Sequence, residues 1–120
     1  MMSQHIPSQV TLHREQRLLE VAFEAQSYQL PCEYLRVYSP SAEVRGHAPG
    51  EEKLQIGKEE VNIEKIEQVG TYALKFTYDD GHDSGIYDWE MLYDLAVNHE
   101  ANWQDYLNRL AAAGIKRKVN

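Results

Sequence analysis

The chain has 120 residues, with 12 Lys and Arg against 19 Asp and Glu, which gives a formal net charge of −7 at pH 7. This acidic balance disfavours binding to nucleic-acid phosphates and to anionic membranes, because both need a basic face. No apolar run approaches the roughly 20 residues that span a bilayer. The first residues lack the layout of a secretion signal, so we expect a cytoplasmic protein.

The first predicted element is a hairpin. Apolar and polar residues alternate over residues 17–23, as in a half-buried strand, and residues 10–13 are expected to pair beside it. A polar turn over residues 24–27 leads to a returning arm at residues 28–30.

A short helix and a long loop are predicted next. Pro31 suits the first turn of a helix over residues 32–38, which Ser39-Pro40 ends. Residues 39–60 then mix prolines and glycines with charged and small residues, so we expect a loop. A connection of about 20 residues is longer than most, which indicates either mobility or a role in function.

The clearest strand of the chain is predicted over residues 72–78. The residues expected on its inner face are Tyr72, Leu74, Phe76 and Tyr78. The turn-forming residues 79–85, followed by Ile86-Tyr87, predict a second hairpin.

Helical spacing begins after Asp88, which is a suitable N-cap. A further helical stretch covers residues 99–113, with Asn98 separating the two helices and Gly114 ending the second. The basic tail, residues 115–120, is expected to be frayed.

Strands first and helices last predict an α+β fold of small antiparallel β-sheets built from hairpins, with C-terminal helices. A 42% hydrophobic share is enough for a folded core. We expect a single domain over residues 1–120, with its core at about 7–95 and a helical C-terminal extension at 96–114.

The second turn is the strongest candidate for a metal site. Within five residues it places three carboxylates and an imidazole, those of Asp79, Asp80, His82 and Asp83. Such groups can ligate a divalent cation such as zinc or iron. Charged turns are also common because they are solvated, and Asp-Gly is a favoured hairpin turn. Both interpretations stay open, with His82, Asp80 and Asp83 as the candidate ligands.

Two weaker patterns correspond to other kinds of site, an iron site and a reactive cysteine. His13 and Glu15 have the spacing of two ligands in non-haem iron oxygenases, although such a triplet often arises by chance. Cys32 at a helix start would be a reactive thiolate if the helix dipole lowered its pKa, but a buried structural cysteine is the commoner case. As the only cysteine, it also excludes an intramolecular disulfide.

The sequence predicts a binding domain rather than an enzyme. It contains no serine-nucleophile elbow and no phosphate-binding loop. A small enzyme would need a cleft lined by Asp80, His82, Asp83 and Tyr87. Aromatic residues, which are common at interfaces, exceed what a small core needs. They include Tyr72, Tyr78, Tyr87, Trp89, Tyr93, Trp103 and Tyr106.

Several short motifs follow one another in a recognisable order. They are Leu30-Pro31, Leu35-Arg36, Ser39-Pro40-Ser41-Ala42-Glu43-Val44, Val69-Gly70-Thr71-Tyr72-Ala73-Leu74 and Asp79-Asp80-Gly81-His82-Asp83-Ser84-Gly85-Ile86-Tyr87, with Trp89 and Leu92 beyond. Over about residues 7–95 the chain resembles the bacterial family named for the gamma-butyrobetaine hydroxylase-like N-terminal domain. The family-motif residues are Leu35, Arg36, Ser39, Pro40, Gly70, Tyr72, Asp80, Gly81, His82, Gly85 and Trp89.

The resemblance implies a domain of two or more small sheets with helical additions. Similar domains occur alone, in front of carnitine-pathway oxygenases, and attached to P-loop iron–sulfur carrier proteins. We therefore expect an adaptor domain that acts on a protein partner such as an oxygenase or an iron–sulfur carrier. The alternative is a metal-binding domain that holds zinc or iron through His82, His47 and nearby carboxylates.

The resemblance also implies where a structural zinc would lie. In the oxygenases, three cysteines after the Leu-Arg pair and one histidine in the later turn hold the ion. Here the segment after Leu35-Arg36 contains no cysteine, and only His82 matches. We therefore expect no zinc site of that type and no resident cofactor, with His82 making hydrogen bonds in the turn.

Overall fold

The computed structural model describes residues 5–46 and 53–118, and these contain two antiparallel three-stranded sheets and four helices. The first sheet consists of β1 (Gln9–His13), β2 (Leu18–Phe23) and β3 (Gln26–Pro31), in that order. The second consists of β4 (Ile63–Val69), β5 (Ala73–Tyr78) and β6 (Ile86–Asp88), again in order. The helices are α1 (Cys32–Val37), α2 (Ala42–Arg45), α3 (Trp89–Val97) and α4 (His99–Ala112). The predicted α+β fold with C-terminal helices is confirmed.

The first hairpin is tighter than predicted. The inner face of β2 carries Leu19 and Val21, both fully buried, and Leu19 pairs with Leu30 of β3. The turn has only two residues, because Phe23 pairs with Gln26. Glu24 has a φ of +55°, the left-handed conformation that two-residue hairpin loops require. The prediction of a four-residue turn was therefore wrong.

In the second sheet, the prediction for Tyr72 was wrong. Leu74, Phe76 and Tyr78 are buried as predicted, whereas Tyr72 is 54% exposed and lies outside the strand. Its N–H donates to the Val69 carbonyl at 3.3 Å, so Tyr72 belongs to the turn between β4 and β5. The alternation of β5 therefore begins one residue later than the pattern indicated.

Strand β4 pairs with β5 in an irregular register. This explains why its apolar residues Ile63 and Ile66 are three residues apart, and not two or four as on one face of a regular strand. Ile63 pairs with Tyr78 and Ile66 with Phe76, with a β-bulge between Ile63 and Lys65. A bulge adds one residue to a strand. Both isoleucines can therefore pack against the core although their spacing does not match a regular strand.

The segment predicted as a loop contains a helix. Residues 42–45 form α2, and the Ser41 hydroxyl caps it by accepting from the Glu43 N–H at 3.2 Å. The segment after residue 52 is held to this part of the fold, because the Lys53 N–H donates to the Val44 carbonyl at 2.7 Å. Four residues are too few to show a helical period, so the prediction of an uninterrupted loop was wrong.

The tail is held in place over residues 115–118, which contradicts the predicted fraying. The Arg117 guanidinium donates to both carboxylate oxygens of Glu33, whose side chain is only 6% exposed. It also lies 5.3 Å from the centre of the Trp103 ring. A buried carboxylate needs a cationic partner, and the tail provides one. Ile115 packs with Tyr106 of α4.

Buried tyrosine hydroxyls connect α1 to the second sheet and to α3. Because α1 is short, its last carbonyls lack partners within the helix. The Tyr87 hydroxyl donates to the Leu35 carbonyl at 2.6 Å and lies 2.7 Å from the Tyr78 hydroxyl. The Tyr34 hydroxyl donates to the Leu95 carbonyl at 2.6 Å, and burial raises the pKa of Tyr34 to about 12. These hydroxyls therefore stay protonated as donors.

None of the helices within residues 5–46 and 53–118 has the length and apolar character needed to cross a membrane.

The Tyr87 hydroxyl provides a direct test of this connection. Replacing it in Tyr87→Phe leaves the Leu35 carbonyl buried without its donor, so we expect a loss of about 1–3 kcal/mol in the free energy of unfolding. Urea denaturation followed by circular dichroism measures the loss. Tyr72→Phe, which removes an exposed hydroxyl, is the matched control and should change stability little. Equal stability of the two variants would contradict this role of Tyr87.

Candidate functional site

The candidate site is the turn between β5 and β6, which encloses His82. The side chain of His82 is only 2% exposed. Its N–H donates to Asp80 Oδ1 at 3.1 Å, and its carbonyl accepts from the Tyr78 N–H at 2.9 Å. Gly81 has a φ of +91°, which permits this tight reversal. The turn therefore directs the imidazole inward, toward the segment that follows α1.

Both ring nitrogens of His82 have a partner. Nε2 lies 2.8 Å from Ser39 Oγ, and Nδ1 lies 3.3 Å from Glu43 Oε2. Burial, followed by the charge of Arg36, lowers the pKa of His82, so the ring is neutral near pH 7. Since a carboxylate only accepts, a neutral ring with its proton on Nδ1 suits the neighbouring Glu43, and Nε2 then accepts from the Ser39 hydroxyl.

The side chains of Ser39, His82 and Glu43 lie next to one another in the order serine, imidazole and carboxylate, as in the catalytic triad of a hydrolase. The hydroxyl of Ser39, however, is not accessible to a substrate. Ser39 is only 1% exposed. A methyl group added at Gly85 would lie 2.4 Å from Ser39 Oγ, so the backbone of Gly85 covers the hydroxyl. A nucleophilic serine needs space for a substrate carbonyl beside Oγ. In this arrangement the three groups join the segment after α1, helix α2 and the turn.

A second network of polar side chains surrounds Asp80. The buried Arg36 donates through Nε to Asp80 Oδ2 at 2.9 Å, and Lys58 Nζ donates to the same oxygen at 2.7 Å. Arg36 also donates to Gln55 Oε1 at 3.1 Å. Burial alone would raise the pKa of Asp80, but the hydrogen bonds from Lys58, His82 and Arg36 outweigh it and lower the pKa to about 2. Asp80 is therefore an ionised partner of two cations.

The predicted metal ligands do not converge on one point. Among residues 5–46 and 53–118, no group of three His, Cys, Asp or Glu side chains is arranged to hold a metal ion. His82 and Asp80 have the partners given above, whereas Asp83 is exposed. His47 lies outside the described residues. Metal binding by these residues stays a prediction, and it would require both His82 and Asp80 to leave their present partners.

The zinc site implied by the resemblance does not fit this chain. The hydroxyl of Ser39, not a thiolate, faces His82 from the segment after α1. The single cysteine, Cys32, lies elsewhere and donates to Asn62 Oδ1 at 3.6 Å. Cys32 is buried, and burial raises the pKa of its thiol, so this residue is the buried structural cysteine expected as the commoner case. Tetrahedral zinc sites of that kind depend on thiolates.

The remaining candidates are separate from this site. His13 Nε2 lies 2.9 Å from Glu20 Oε1 on the neighbouring strand, so His13 pairs with Glu20 and not with Glu15. Trp89 Nε1 donates to the Thr71 carbonyl at 2.8 Å, at the other end of β5. The family motif therefore has two parts. The part around His82 contains Leu35, Arg36, Ser39, Pro40, Asp80, Gly81 and Gly85, and the part around Trp89 contains Gly70 and Tyr72.

A cleft of about 260 Å³ lies beside the His82 network, between the segment of α1 and α2 and the pair α3 and α4. Three buried aliphatic residues line it, Val37, Val44 and Leu95, together with Met91. Ser39 also contributes to its wall. The network that holds the segment after α1 thus also shapes the cleft, which sequence reasoning did not identify.

Asp80 makes stability depend on pH. Its pKa is lowered in the folded protein from the ordinary 3.8 to about 2. The unfolded chain therefore binds the proton more readily, and the stabilisation is complete above pH 4 and is lost as the pH falls toward 2. We expect Asp80→Asn to cost about 1–3 kcal/mol at pH 7 because Arg36 loses its partner. Urea titrations at several pH values should show a smaller acid dependence for this variant. An unchanged pH profile would contradict the pairing.

The packing of Gly85 against Ser39 predicts an energetic coupling. Gly85→Ala should push the Ser39 hydroxyl away from His82 and cost about 1–3 kcal/mol. In a Ser39→Ala background that hydroxyl is absent, so the same change at Gly85 should cost much less. A double-mutant cycle of unfolding free energies measures the coupling. Additive costs would show that Gly85 does not enclose the hydroxyl.

Comparisons with known proteins agree with this fold. The family model described as "Gamma-butyrobetaine hydroxylase-like, N-terminal" matches residues 10–93. One NMR solution structure is 46% identical, with a TM-score of 0.86, and the alignment covers 98% of this chain and 94% of that chain. A second is 48% identical, with a TM-score of 0.80 and coverage of 98% and 90%.

A crystal structure is similar over a smaller share of the chain. It is that of a DUF971-family protein of unknown function from Acidithiobacillus ferrooxidans ATCC 23270, 31% identical, with a TM-score of 0.63 and coverage of 75% of this chain and 91% of that chain. No curated protein matches. The chain belongs to the gamma-butyrobetaine hydroxylase-like N-terminal domain family, which the order of its motifs had indicated.

Proposed function

We propose that this domain is a non-enzymatic binding module that recognises a partner protein through the cleft between α1–α2 and α3–α4. The observation that carries the proposal is the cleft itself, a concave surface with buried aliphatic residues at its base. Concave apolar surfaces with a few polar groups are the usual form of binding sites. The partner we propose is an oxygenase or an iron–sulfur carrier, because domains of this kind are fused to such proteins.

The His82 network supports a binding role for the cleft. Ser39 lines the cleft but is covered by Gly85, and its hydroxyl is engaged with His82. The network thus holds the wall of the cleft in one conformation. Binding surfaces that are already in their bound shape lose less entropy on association. The predicted cytoplasmic location and the protein partner both stay predictions.

Blocking the cleft provides the test. Met91 lines it from α3, so Met91→Trp should fill it and abolish capture of the partner. Val97→Trp is the matched control, because it adds the same side chain to α3 at an exposed position that does not line the cleft. The measurement is affinity capture from lysate of the natural host, with recovered proteins quantified by mass spectrometry.

The expected result is one protein that the unchanged domain and Val97→Trp retain and Met91→Trp loses. Circular dichroism should confirm that both variants are folded. Recovery of the same proteins in the same amounts by Met91→Trp would contradict the proposed role of the cleft.

A further inference from the structure

The rim of the cleft is positively charged, which is unusual for this chain. Among the described residues, Arg45, Lys53 and Arg109 line it, with one carboxylate, that of Asp94. The chain as a whole has a formal net charge of −7. The cleft is therefore a local cationic surface on an acidic protein, and such a surface favours anionic ligands.

Two of these cations have no carboxylate partner among the described residues. Arg45 Nη2 lies 3.6 Å from the sulfur of Met91, and none of the salt bridges within residues 5–46 and 53–118 includes Arg45 or Lys53. Asp94 is directed elsewhere, since its Oδ1 accepts from the Asn98 amide at 2.8 Å. Within residues 5–46 and 53–118, therefore, a ligand that pairs with Arg45 or Lys53 displaces no carboxylate.

The third cation is held in position at the rim. Arg109 Nη2 donates to the Tyr38 hydroxyl at 3.1 Å, and its guanidinium lies 5.6 Å from the centre of the Tyr38 ring. Its other contact is an exposed pair with Asp105 at 3.2 Å on the same helix. Exposed pairs of this kind contribute little stability, so a ligand carboxylate can compete with Asp105 for this guanidinium.

We propose that the cleft binds an acidic segment of the partner protein that carries one aliphatic side chain as its anchor. This inference rests on the proposed binding function. The aliphatic side chain would occupy the base formed by Val37, Val44 and Leu95, and carboxylates on either side would face the rim. The three cations come from α2, from the segment after residue 52 and from α4. Several carboxylates along a segment match such a distribution better than a single one.

The test is an NMR titration of the full ¹⁵N-labelled chain with synthetic peptides. The probe is acetyl-Asp-Glu-Leu-Asp-Glu-amide, and its neutral counterpart is acetyl-Asn-Gln-Leu-Asn-Gln-amide. A third arm uses N-acetylleucine, which tests whether a free small acid is sufficient. We expect the acidic peptide to bind with amide shifts at Val37, Val44 and Leu95, and at least about tenfold more tightly than either of the others.

Charge variants test the rim directly. The double variant Arg45→Gln/Lys53→Gln should weaken binding of the acidic peptide at least about tenfold. Lys65→Gln/Lys116→Gln changes the net charge equally at exposed positions away from the cleft and should bind like the unchanged chain. Added salt should weaken binding by the unchanged chain more than binding by the Arg45→Gln/Lys53→Gln variant.

Three results would overturn the inference. They are equal binding of the neutral peptide, equal effects of the two double variants, and binding of N-acetylleucine as tight as that of the acidic peptide. Any of these, together with a partner that Met91→Trp fails to capture, would exclude the acidic segment and leave the binding function in place. Capture that is unaffected by Met91→Trp would instead remove the binding function, and this inference with it.

Discussion

The structure around the candidate site depends on one buried hydrogen bond, between Ser39 Oγ and His82 Nε2 at 2.8 Å. It joins the segment after α1 to the turn between β5 and β6, which are 43 residues apart in sequence. A buried imidazole without a partner would cost free energy, so the bond and its enclosure by Gly85 are needed together. The same segment forms one wall of the cleft. The stability of the turn and the shape of the cleft therefore both depend on one interaction.

The polar groups around this bond are satisfied in pairs, so the buried imidazole and the carboxylate beside it need no metal ion as a partner. The partners of His82 are Ser39 and Glu43, and the partners of Asp80 are Arg36 and Lys58. A half-satisfied buried network would be less stable than an apolar core. The family fold is thus present here with hydrogen bonds and ion pairs at the position where the resemblance implied a metal ligand.

The strands and the long helices could be predicted because each shows a repeat of apolar and polar residues within its own stretch of sequence. Burial alternates along β2 as the sequence indicated, and Asp88 caps α3 by accepting from the Met91 N–H at 2.8 Å. The failures have non-local causes. Glu33 binds the tail through Arg117, 84 residues away, and no local pattern shows this pairing. Likewise, the motif order identified Ser39 and His82, but their contact, and the cleft, depend on how distant segments pack.

The most direct test of this account is the protonation state of His82, measured by long-range ¹H–¹⁵N correlation NMR of the imidazole nitrogens as a function of pH. We expect a neutral ring near pH 7 with its proton on Nδ1, and a transition at a pKa below the ordinary 6.5. A ring that titrates at or above 6.5 would contradict the neutral buried imidazole, and a neutral ring with its proton on Nε2 would contradict the acceptor role of Nε2 toward the Ser39 hydroxyl.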